Sequence, residues 1–262
     1  MSLSLPSEIS LIQQNQLELL VIDHPKVKAK IALQGAQLLS WQPSHCTQDV
    51  LWLSEVEPFE TGVAIRGGVP ICYPWFGGVK QPAHGTARIR KWQLTKAEAL
   101  ADRVELVLAL DDEATLAVSL GESCSLAFTH LAPEPAQVAL HSYFRVGDIA
   151  QIALHNLPNT RFNSLEQAQQ AVSIPRKFAN IVDEIYSNNG LPTLIADPVA
   201  QRQISVAHHN ASEVVVWNPW HKAMSGMSET GYKTMVCVET ARVHRLLNQG
   251  ETVTATFSVQ AL

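Results

Sequence analysis

The protein has 262 residues and a formal net charge of −5; 46% of its residues are hydrophobic and only 16% are charged. This apolar content is enough for a sizeable core, which excludes intrinsic disorder. A net-acidic chain without a run of basic residues is a poor candidate for binding nucleic acid or an anionic membrane surface. A small anionic ligand is not excluded, because one or two arginines are enough to bind it.

Neither a secretory signal nor a membrane-spanning segment is predicted. The first six residues, MSLSLP, contain no basic residue and no continuous apolar run, and a signal peptide needs both. No apolar stretch approaches the ~20 residues that span a bilayer. The four cysteines form no CxxC motif, so we expect reduced thiols, and we predict a soluble, cytoplasmic protein.

Short apolar or alternating runs dominate the chain. Runs of about 4–8 residues bounded by Gly, Pro, Asn, Asp or Glu are typical of antiparallel strands. In chain order, the clearest runs are 31–33, 104–110, 115–120, 138–144, 152–154, 204–207, 214–217, 234–239 and 253–259.

The only helix-like segment is 164–171, SLEQAQQA, whose S-x-x-Q start resembles a capping box. It is short, so a helix and a non-helical turn both stay open. No linker, charge block or repeat divides the chain. We therefore expect one all-β domain over residues 1–262, a large antiparallel β-sandwich of two packed sheets.

The segment 64–78, AIRGGVPICYPWFGG, is not typical of an ordinary strand. Gly67 and Gly68 permit a close backbone approach or a positive φ. They would hold Arg66 at a turn, where its planar guanidinium can bind a phosphate or carboxylate through two N–H groups. An arginine that caps the turn or pairs with a surface acid is the alternative.

The segment 82–88, PAHGTAR, puts His84 on a tight, exposed stretch of backbone and Arg88 four residues later. Arg90 and Lys91 follow directly, so several cations lie close together in a chain that is acidic as a whole. Such a cluster can bind an anion, and a solvated basic loop is the alternative.

In the segment 140–147, LHSYFRVG, a strand would put His141, Tyr143 and Arg145 on one face. A histidine among large apolar residues is either a hydrogen-bonded core residue or a catalytic group. Further along, the apolar run 234–239 ends on Glu239.

A carboxylate at the end of an apolar strand is costly unless it is paired or functional. Partial burial would raise the proton affinity of Glu239 toward that of a general base. Pairing with Arg242 is the structural alternative for this carboxylate.

Motifs for nucleotide binding, for a nucleophilic serine and for zinc binding are absent: the sequence lacks GxGxxG, GxxxxGK[ST], GxSxG and HExxH. His208 and His209 are the only adjacent histidines. Because neighbouring residues of a strand point to opposite faces, these two cannot readily share one ion. No metal site is predicted.

Four segments taken together, AIRGGVPICYPWFG, PAHGTAR, LHSYFRVGDI and VVVWNPW…YKTMVCVETA, resemble in this order the glucose-6-phosphate 1-epimerases, or hexose-6-phosphate mutarotases, of the galactose-mutarotase-like superfamily. The likeness runs from about residue 34 to residue 259. It implies a large antiparallel β-supersandwich that interconverts the α and β anomers of hexose 6-phosphates, small-molecule substrates, by acid–base chemistry without a cofactor.

The resemblance also implies roles for individual residues. His141 matches the general acid of the family and Glu239 its general base. Arg66 and Arg88 match the arginines that hold the 6-phosphate.

Two more residues match positions that contact sugar hydroxyls, His84 and Asp183. The chain departs from the pattern nearby: Ala83 stands where some members have Gln, and Glu184 replaces the usual Lys. The loop 222–232 lacks the acidic pattern expected there. These departures affect the expected sugar specificity and rate, not the reaction class.

Three other functions stay open at this stage. A non-catalytic sugar-phosphate-binding protein could share the fold, but the His141 and Glu239 pair argues against it. A mutarotase of unphosphorylated aldoses is disfavoured by Arg66 and Arg88. An interaction protein that uses its Trp-rich loops is the third. We expect a monomer.

Overall fold

The computed structural model describes residues 4–262, which form twenty β-strands and no α-helix; residues 1–3 of the MSLSLP segment lie outside the described residues. Two short 3-10 turns cover Ala87–Ile89 and Gly231–Thr234. The strands are β1 (Ile9–Gln14), β2 (Leu17–His24), β3 (Val27–Ala32), β4 (Gln37–Pro43), β5 (Ile71–Cys72), β6 (Gln93–Ala99), β7 (Val104–Leu110), β8 (Ala114–Leu120), β9 (Cys124–His130), β10 (Ala136–Leu140), β11 (Tyr143–Arg145), β12 (Ala153–His155), β13 (Thr160–Asn163), β14 (Ala168–Ala171), β15 (Val182–Ser187), β16 (Thr193–Asp197), β17 (Arg202–His209), β18 (Glu213–Asn218), β19 (Met235–Leu247) and β20 (Thr252–Ala261).

These strands form three antiparallel sheets. A four-stranded sheet has the order β1-β2-β3-β4. The first eight-stranded sheet has the order β14-β13-β15-β18-β19-β10-β5, with β11 also paired to β19; the second has the order β12-β16-β17-β20-β9-β8-β7-β6. The all-β antiparallel sandwich expected from the sequence is confirmed. The number of sheets differs from the two that were expected, because the four-stranded sheet is present in addition to the two larger ones.

The core lies between the sheets and is rich in aromatic rings. Phe257 of the second eight-stranded sheet meets Phe144 of the first edge-on, with ring centroids 5.0 Å apart. It also meets Trp41 of the four-stranded sheet at 6.3 Å. All three sheets therefore share one apolar cluster. A single domain over residues 1–262 stays a prediction, to which this shared cluster adds support.

The second eight-stranded sheet shows why alternation was a good signal. In β7, β8 and β9 every second residue is buried and the intervening ones are half-buried or exposed, as expected for strands with one face on the core. Strand β19 differs, because its first eight residues are all buried. Side chains on both faces of β19 are therefore removed from water, including that of Glu239.

The predicted strand 138–144 is interrupted. Strand β10 ends at Leu140 and β11 begins at Tyr143. Between them, the His141 N–H bonds to the Pro70 carbonyl at 2.9 Å, and the Ser142 carbonyl accepts the Val238 N–H at 3.1 Å. Both residues thus hydrogen-bond outside the regular ladder, which fixes the backbone at His141.

The helix considered for 164–171 is not formed. Residues 164–167 make a turn and Ala168–Ala171 is strand β14, paired with β13. The Asn163 side chain accepts the Leu165 N–H at 3.0 Å, and Gln167 has a φ of 53°. The hairpin is closed by a turn that the Asn163 side chain caps and by the left-handed backbone at Gln167. These local preferences outweigh the weak helix preference of the segment.

The cysteines agree with a reduced protein. All four are free; Cys72, Cys124 and Cys237 are buried and Cys46 is half-buried. Burial raises the pKa of the three buried thiols. Among the described residues, no helix is long and apolar enough to cross a membrane.

Gly68 follows Arg66 at a crowded turn. It has a φ of +60°, and a Cβ added there would lie 2.1 Å from the Leu38 carbonyl oxygen. Gly62 is a matched contrast, because it has a φ of +76° but no atom within 4 Å of an added Cβ. Both positions carry the cost of a positive φ in a residue with a side chain, but only Gly68 adds a backbone clash.

We therefore expect Gly68→Ala to lower the free energy of unfolding by roughly 1–3 kcal/mol more than Gly62→Ala does. Urea denaturation of both variants and the wild type measures this difference. Equal losses would contradict the close packing of the turn against β4.

Candidate active site

A cavity of about 480 Å³ lies on the face of the first eight-stranded sheet that points away from the shared core. Five of the six residues singled out by the sequence line it, and one does not. The residues around it are Arg66, Phe76, Gly77, Gly78, Val79, His84, Gln137, His141, Phe162, Ser164, Gln167, Asp183, Ile185, Val215, Trp217, Met224, Glu239 and Val243.

Glu239 forms the inner wall of this cavity. It lies in β19 opposite Val215 of β18 and is only 1% exposed. Its Oε1 lies 3.3 Å from His141 Nε2, and its Oε2 is buried without a hydrogen-bond partner. Burial raises the pKa of this carboxyl well above its usual value, and the nearby Asp183 carboxylate raises it further. The free oxygen is available to a ligand.

Glu239 does not pair with Arg242, which was the structural alternative for this carboxylate. Arg242 instead donates to the carbonyls of Arg245 and Leu246, at 2.6 Å each, and to Glu251. Adjacent residues of a strand alternate between faces, so Arg242 lies on the opposite face of β19 from Glu239. The carboxyl is left facing the cavity.

His141 is 9% exposed, and its Nδ1 is buried without a hydrogen-bond partner. Burial lowers the pKa of this imidazole well below its usual value. The neighbouring His84 and Arg66 lower it further. The two groups in contact, Glu239 and His141, thus both favour their uncharged forms.

A stack of rings fixes the His141 plane. Tyr143 lies against it with centroids 4.8 Å apart at 18°, and Trp52 lies against Tyr143 at 5.9 Å and 22°. Trp217 meets the His141 ring edge-on at 6.1 Å. The expectation that His141 and Tyr143 share a face holds, but Trp52 was not singled out, because only the tertiary fold brings it next to them.

Arg66 lies half-buried at the cavity edge. Its Nη1 donates to the Tyr143 hydroxyl at 3.1 Å and its Nε to the Ser225 carbonyl at 3.1 Å. Among residues 4–262, no carboxylate lies within 4.0 Å of this guanidinium. Its charge is therefore not neutralised by an ion pair, so it is available to an anion. The sequence could not show the role of Ser225 and Met224, whose loop borders this side.

His84 is half-buried rather than exposed on its loop. It has a φ of 64°, and a Cβ added at the following Gly85 would lie 2.1 Å from the Tyr73 carbonyl oxygen, so the turn packs closely there. Burial, aided by Arg88 and Arg66, lowers the pKa of His84 to about 4, so the ring is neutral at pH 7.

The tautomer of His84 follows from its neighbours. Its Nδ1 accepts the Gly77 N–H at 3.3 Å, so in the neutral ring the hydrogen is on Nε2. The ring meets His141 edge-on at 5.8 Å. His84 can thus donate one hydrogen bond to a ligand in the cavity.

Arg88 does not line the cavity. It lies in the turn Ala87–Ile89, where its Nη2 donates to the Ala83 carbonyl at 2.6 Å and its Nε is buried without a partner. Its charge still lowers the pKa of His84 and of His141. Arg88 is thus close enough to both histidines to act on them electrostatically without lining the cavity, and a phosphate-binding role for Arg88 stays a prediction.

Asp183 lies across the cavity on β15, opposite Trp217 of β18. Burial raises the pKa of its carboxyl, and a hydrogen bond from Ser164 partly offsets this. The next residue, Glu184, points away from this cavity, which we call the active cavity. Asp183 is thus the second carboxyl that a ligand would meet.

The replacement of Lys by Glu184 has a structural explanation. Glu184 is 3% exposed and accepts hydrogen bonds from Arg161 at 2.6 Å, from Arg176 at 2.8 and 2.9 Å, and from the Tyr186 hydroxyl at 2.6 Å. Although burial raises it, these bonds hold the pKa of Glu184 below its usual value. Arg161 and Arg176 thus neutralise the Glu184 carboxylate outside the cavity.

No metal centre is found in the described part of the chain, where no group of three or more His, Cys, Asp or Glu could hold an ion. His208 is a core residue whose ring bonds to the Thr193 hydroxyl at 3.1 Å and the Thr240 hydroxyl at 2.7 Å. His209 is exposed. The two rings point to opposite faces, as expected.

The sequence of this chain is similar to one family and to several of its named members. The family model described as aldose 1-epimerase matches residues 18–260. A protein of Haemophilus influenzae named "Putative glucose-6-phosphate 1-epimerase" is 48% identical over 98% of this chain and 97% of its own length. A protein of Escherichia coli with the same name is 40% identical over 87% of this chain and 84% of its own length.

Solved structures agree with the sequence comparison. The crystal structure of a "putative mutarotase" from Salmonella typhimurium has a TM-score of 0.94 at 35% identity, over 99% of this chain and 96% of that chain. That of galactose 1-epimerase from Lactobacillus acidophilus has a TM-score of 0.74 at 12% identity, over 98% and 99% of the two chains. The second likeness shows a shared fold.

Two of the buried glutamates, Glu239 and Glu184, predict different pH dependences of stability when they are replaced. The usual pKa of a glutamate is 4.5. Above about this pH, Glu239 keeps its proton in the folded protein but loses it in the unfolded chain. The contribution of Glu239 to stability therefore falls as the pH rises. Glu239→Gln removes this loss. The free energy of unfolding of this variant relative to wild type should therefore rise between pH 5 and 7, by up to about 1.4 kcal/mol per pH unit.

Glu184→Gln is the matched control. Because Glu184 is ionised in both states over this range, its replacement should cost stability by an amount that does not change with pH. Chemical denaturation at several pH values measures both differences. A pH-independent difference for Glu239→Gln would contradict a raised pKa.

Proposed function

The chain belongs to the aldose 1-epimerase family, and we propose that it is an isomerase that interconverts the α and β anomers of hexose 6-phosphates. The observation that carries the proposal is the contact of Glu239 with His141 in a cavity whose edge holds an arginine without an ion pair. The names of the relatives that are 48% and 40% identical support a phosphorylated hexose as substrate.

Anomer exchange requires the sugar ring to open and close. A base takes the proton of the C1 hydroxyl while an acid protonates the ring oxygen, so that the bond from C1 to the ring oxygen breaks and a C1 aldehyde forms. Rotation about the C1–C2 bond then presents the other face of the aldehyde. The same steps in reverse close the ring, without a redox or covalent step.

Glu239 is proposed as the base and His141 as the acid. The C1 hydroxyl and the ring oxygen are bonded to the same carbon, so the two groups that serve them must be neighbours. Oε1 and Nε2 are 3.3 Å apart, which meets this condition. The unpaired Oε2 can accept the C1 hydroxyl, and the imidazole, once protonated, can donate to the ring oxygen.

The pair must first be charged for this reaction. Burial favours a protonated Glu239 and a neutral His141, so we expect the shared proton to lie on the carboxyl before substrate binds. The short contact lets that proton pass to Nε2, which creates the base and the acid together. The net charge of the pair is unchanged, so sugar hydroxyls need only stabilise the separated charges.

Arg66 is proposed to hold the 6-phosphate, with Arg88 as a second positive charge near His84 and His141. Binding energy at the phosphate would fix C1 at the catalytic pair, which raises the rate only if the sugar is held in a reactive position. The Nε2–H of His84 and the carboxyl of Asp183 are proposed to bind sugar hydroxyls. Monomeric state and cytoplasmic location stay predictions.

The catalytic pair is tested by His141→Asn and Glu239→Gln. Each should slow anomer exchange of glucose 6-phosphate by at least about 100-fold, because general acid–base catalysis typically supplies 10²–10⁴-fold. NMR exchange spectroscopy measures the rate above the spontaneous one, and His209→Asn, an exposed site on the other sheet, is the control. Unchanged rates in both variants would refute the catalytic assignment and favour a non-catalytic binding protein.

The phosphate site is tested by Arg66→Ala with two substrates. We expect KM for glucose 6-phosphate to rise about 10–100-fold, the loss of a hydrogen bond to a charged group, with little change for glucose. Arg88→Ala should show the same selectivity to a smaller extent. Equal losses on both sugars would contradict the phosphate role, and faster exchange of glucose than of glucose 6-phosphate by the wild type would indicate a mutarotase of free aldoses.

A further inference from the structure

A second cavity, of about 390 Å³, lies away from the active cavity and shares none of its lining residues. It is lined by the segments 45–48, 199–202 and 259–261. The last two belong to the turn before β17 and to the end of β20, in the second eight-stranded sheet. The catalytic residues lie on the other eight-stranded sheet, so this cavity takes no part in the chemistry proposed above.

Arg202 is the charged residue of this cavity, and its charge is not paired. The residue is 9% exposed. Its Nη2 donates to the Arg145 carbonyl at 2.7 Å, while its Nε is buried without a hydrogen-bond partner. Among residues 4–262, no carboxylate lies within 4.0 Å of the guanidinium. A buried charge is costly unless it is paired, so an anion bound next to Arg202 would be stabilising.

The nearby carboxylates are already engaged. Asp197 accepts the N–H groups of Gly147 at 2.9 Å and Ala200 at 3.0 Å. Asp49 accepts the Trp41 N–H at 3.0 Å and the Leu51 N–H at 2.9 Å. Both raise the pKa of Arg202, but burial lowers it by more. The part of the chain that the structure describes therefore supplies the guanidinium with no direct counter-ion.

The walls indicate the size and chemistry of the ligand. The volume is within the range of small-molecule sites, roughly 300–1,000 Å³. Val199 and Val259 supply apolar surface, while Thr47 and Gln48 supply polar groups. The cavity is larger than an inorganic ion needs, so an anionic group on a small organic body fits it better.

We propose that this cavity binds a small organic anion through a carboxylate or phosphate group, with Arg202 as its charged contact. A guanidinium binds either group through two parallel N–H bonds. The site is distinct from the substrate site and is independent of the proposed function.

Cys46 provides a direct readout, because it also lines the cavity and is half-buried, whereas the other three cysteines are buried. Alkylation of Cys46 by iodoacetamide is followed by mass spectrometry at fixed pH and fixed ionic strength, with chloride as the balancing anion. Succinate and inorganic phosphate serve as the carboxylate and phosphate probes. We expect at least one of them to slow alkylation of Cys46 in a saturable manner.

Three variants locate the effect. Arg202→Met should raise the probe concentration needed for half-protection at least tenfold, and Arg202→Lys, which keeps the charge but loses the planar fork, should weaken protection less. Arg66→Ala should leave protection intact, because Arg66 belongs to the other cavity. Arg245→Met, at an exposed arginine, is the matched control and should also leave it intact.

The proposal is overturned if neither probe protects Cys46 of the wild type. It is equally overturned if protection survives Arg202→Met, or if it is lost in Arg66→Ala, since the anion would then act from the active cavity. If Arg202→Met does not fold, the comparison of the wild type with Arg202→Lys decides the matter. Saturable protection of Cys46 in the wild type and weaker protection in Arg202→Lys would support the proposal. Undiminished protection in Arg202→Lys would overturn it.

Discussion

One contact governs the chemistry of the active cavity: the Glu239 carboxyl against the His141 imidazole, 3.3 Å apart and almost fully removed from water. Charging either group alone in such a place is costly, so burial favours the acid form of one and the neutral form of the other. We therefore expect the pair to hold one shared proton and no net charge. Moving that proton between the two creates a base and an acid without exchange with solvent.

The fold holds this contact within the first eight-stranded sheet. Glu239 sits within β19, which is hydrogen-bonded to strands on both sides. His141 sits where the neighbouring strand is interrupted, and its ring is held by the stack with Tyr143 and Trp52. The Tyr143 hydroxyl also accepts a hydrogen bond from Arg66. The proposed phosphate contact and the catalytic histidine are thus oriented by one aromatic side chain.

Much of this could be predicted from the sequence, for physical reasons. Strands with one face on the core, such as 104–110, alternate clearly, whereas the polar strands β6 and β14 carry little apolar signal and were missed. The break at His141 depends on bonds to residues far away in the chain. Motif order predicted five residues that share the active cavity. The absence of Arg88 from the cavity lining goes with its bond to the Ala83 carbonyl, which no spacing rule reveals.

The protonation of the buried pair is tested most directly by nitrogen-15 NMR of the histidine rings in the unliganded protein, with His141→Asn used to assign the His141 signals. Between pH 5 and 8, where ordinary histidines titrate, we expect His141 to keep the chemical shifts of a neutral imidazole throughout. A ring that gains its proton with a midpoint near 6.5, the usual value, would contradict a water-excluded pair that shares a single proton.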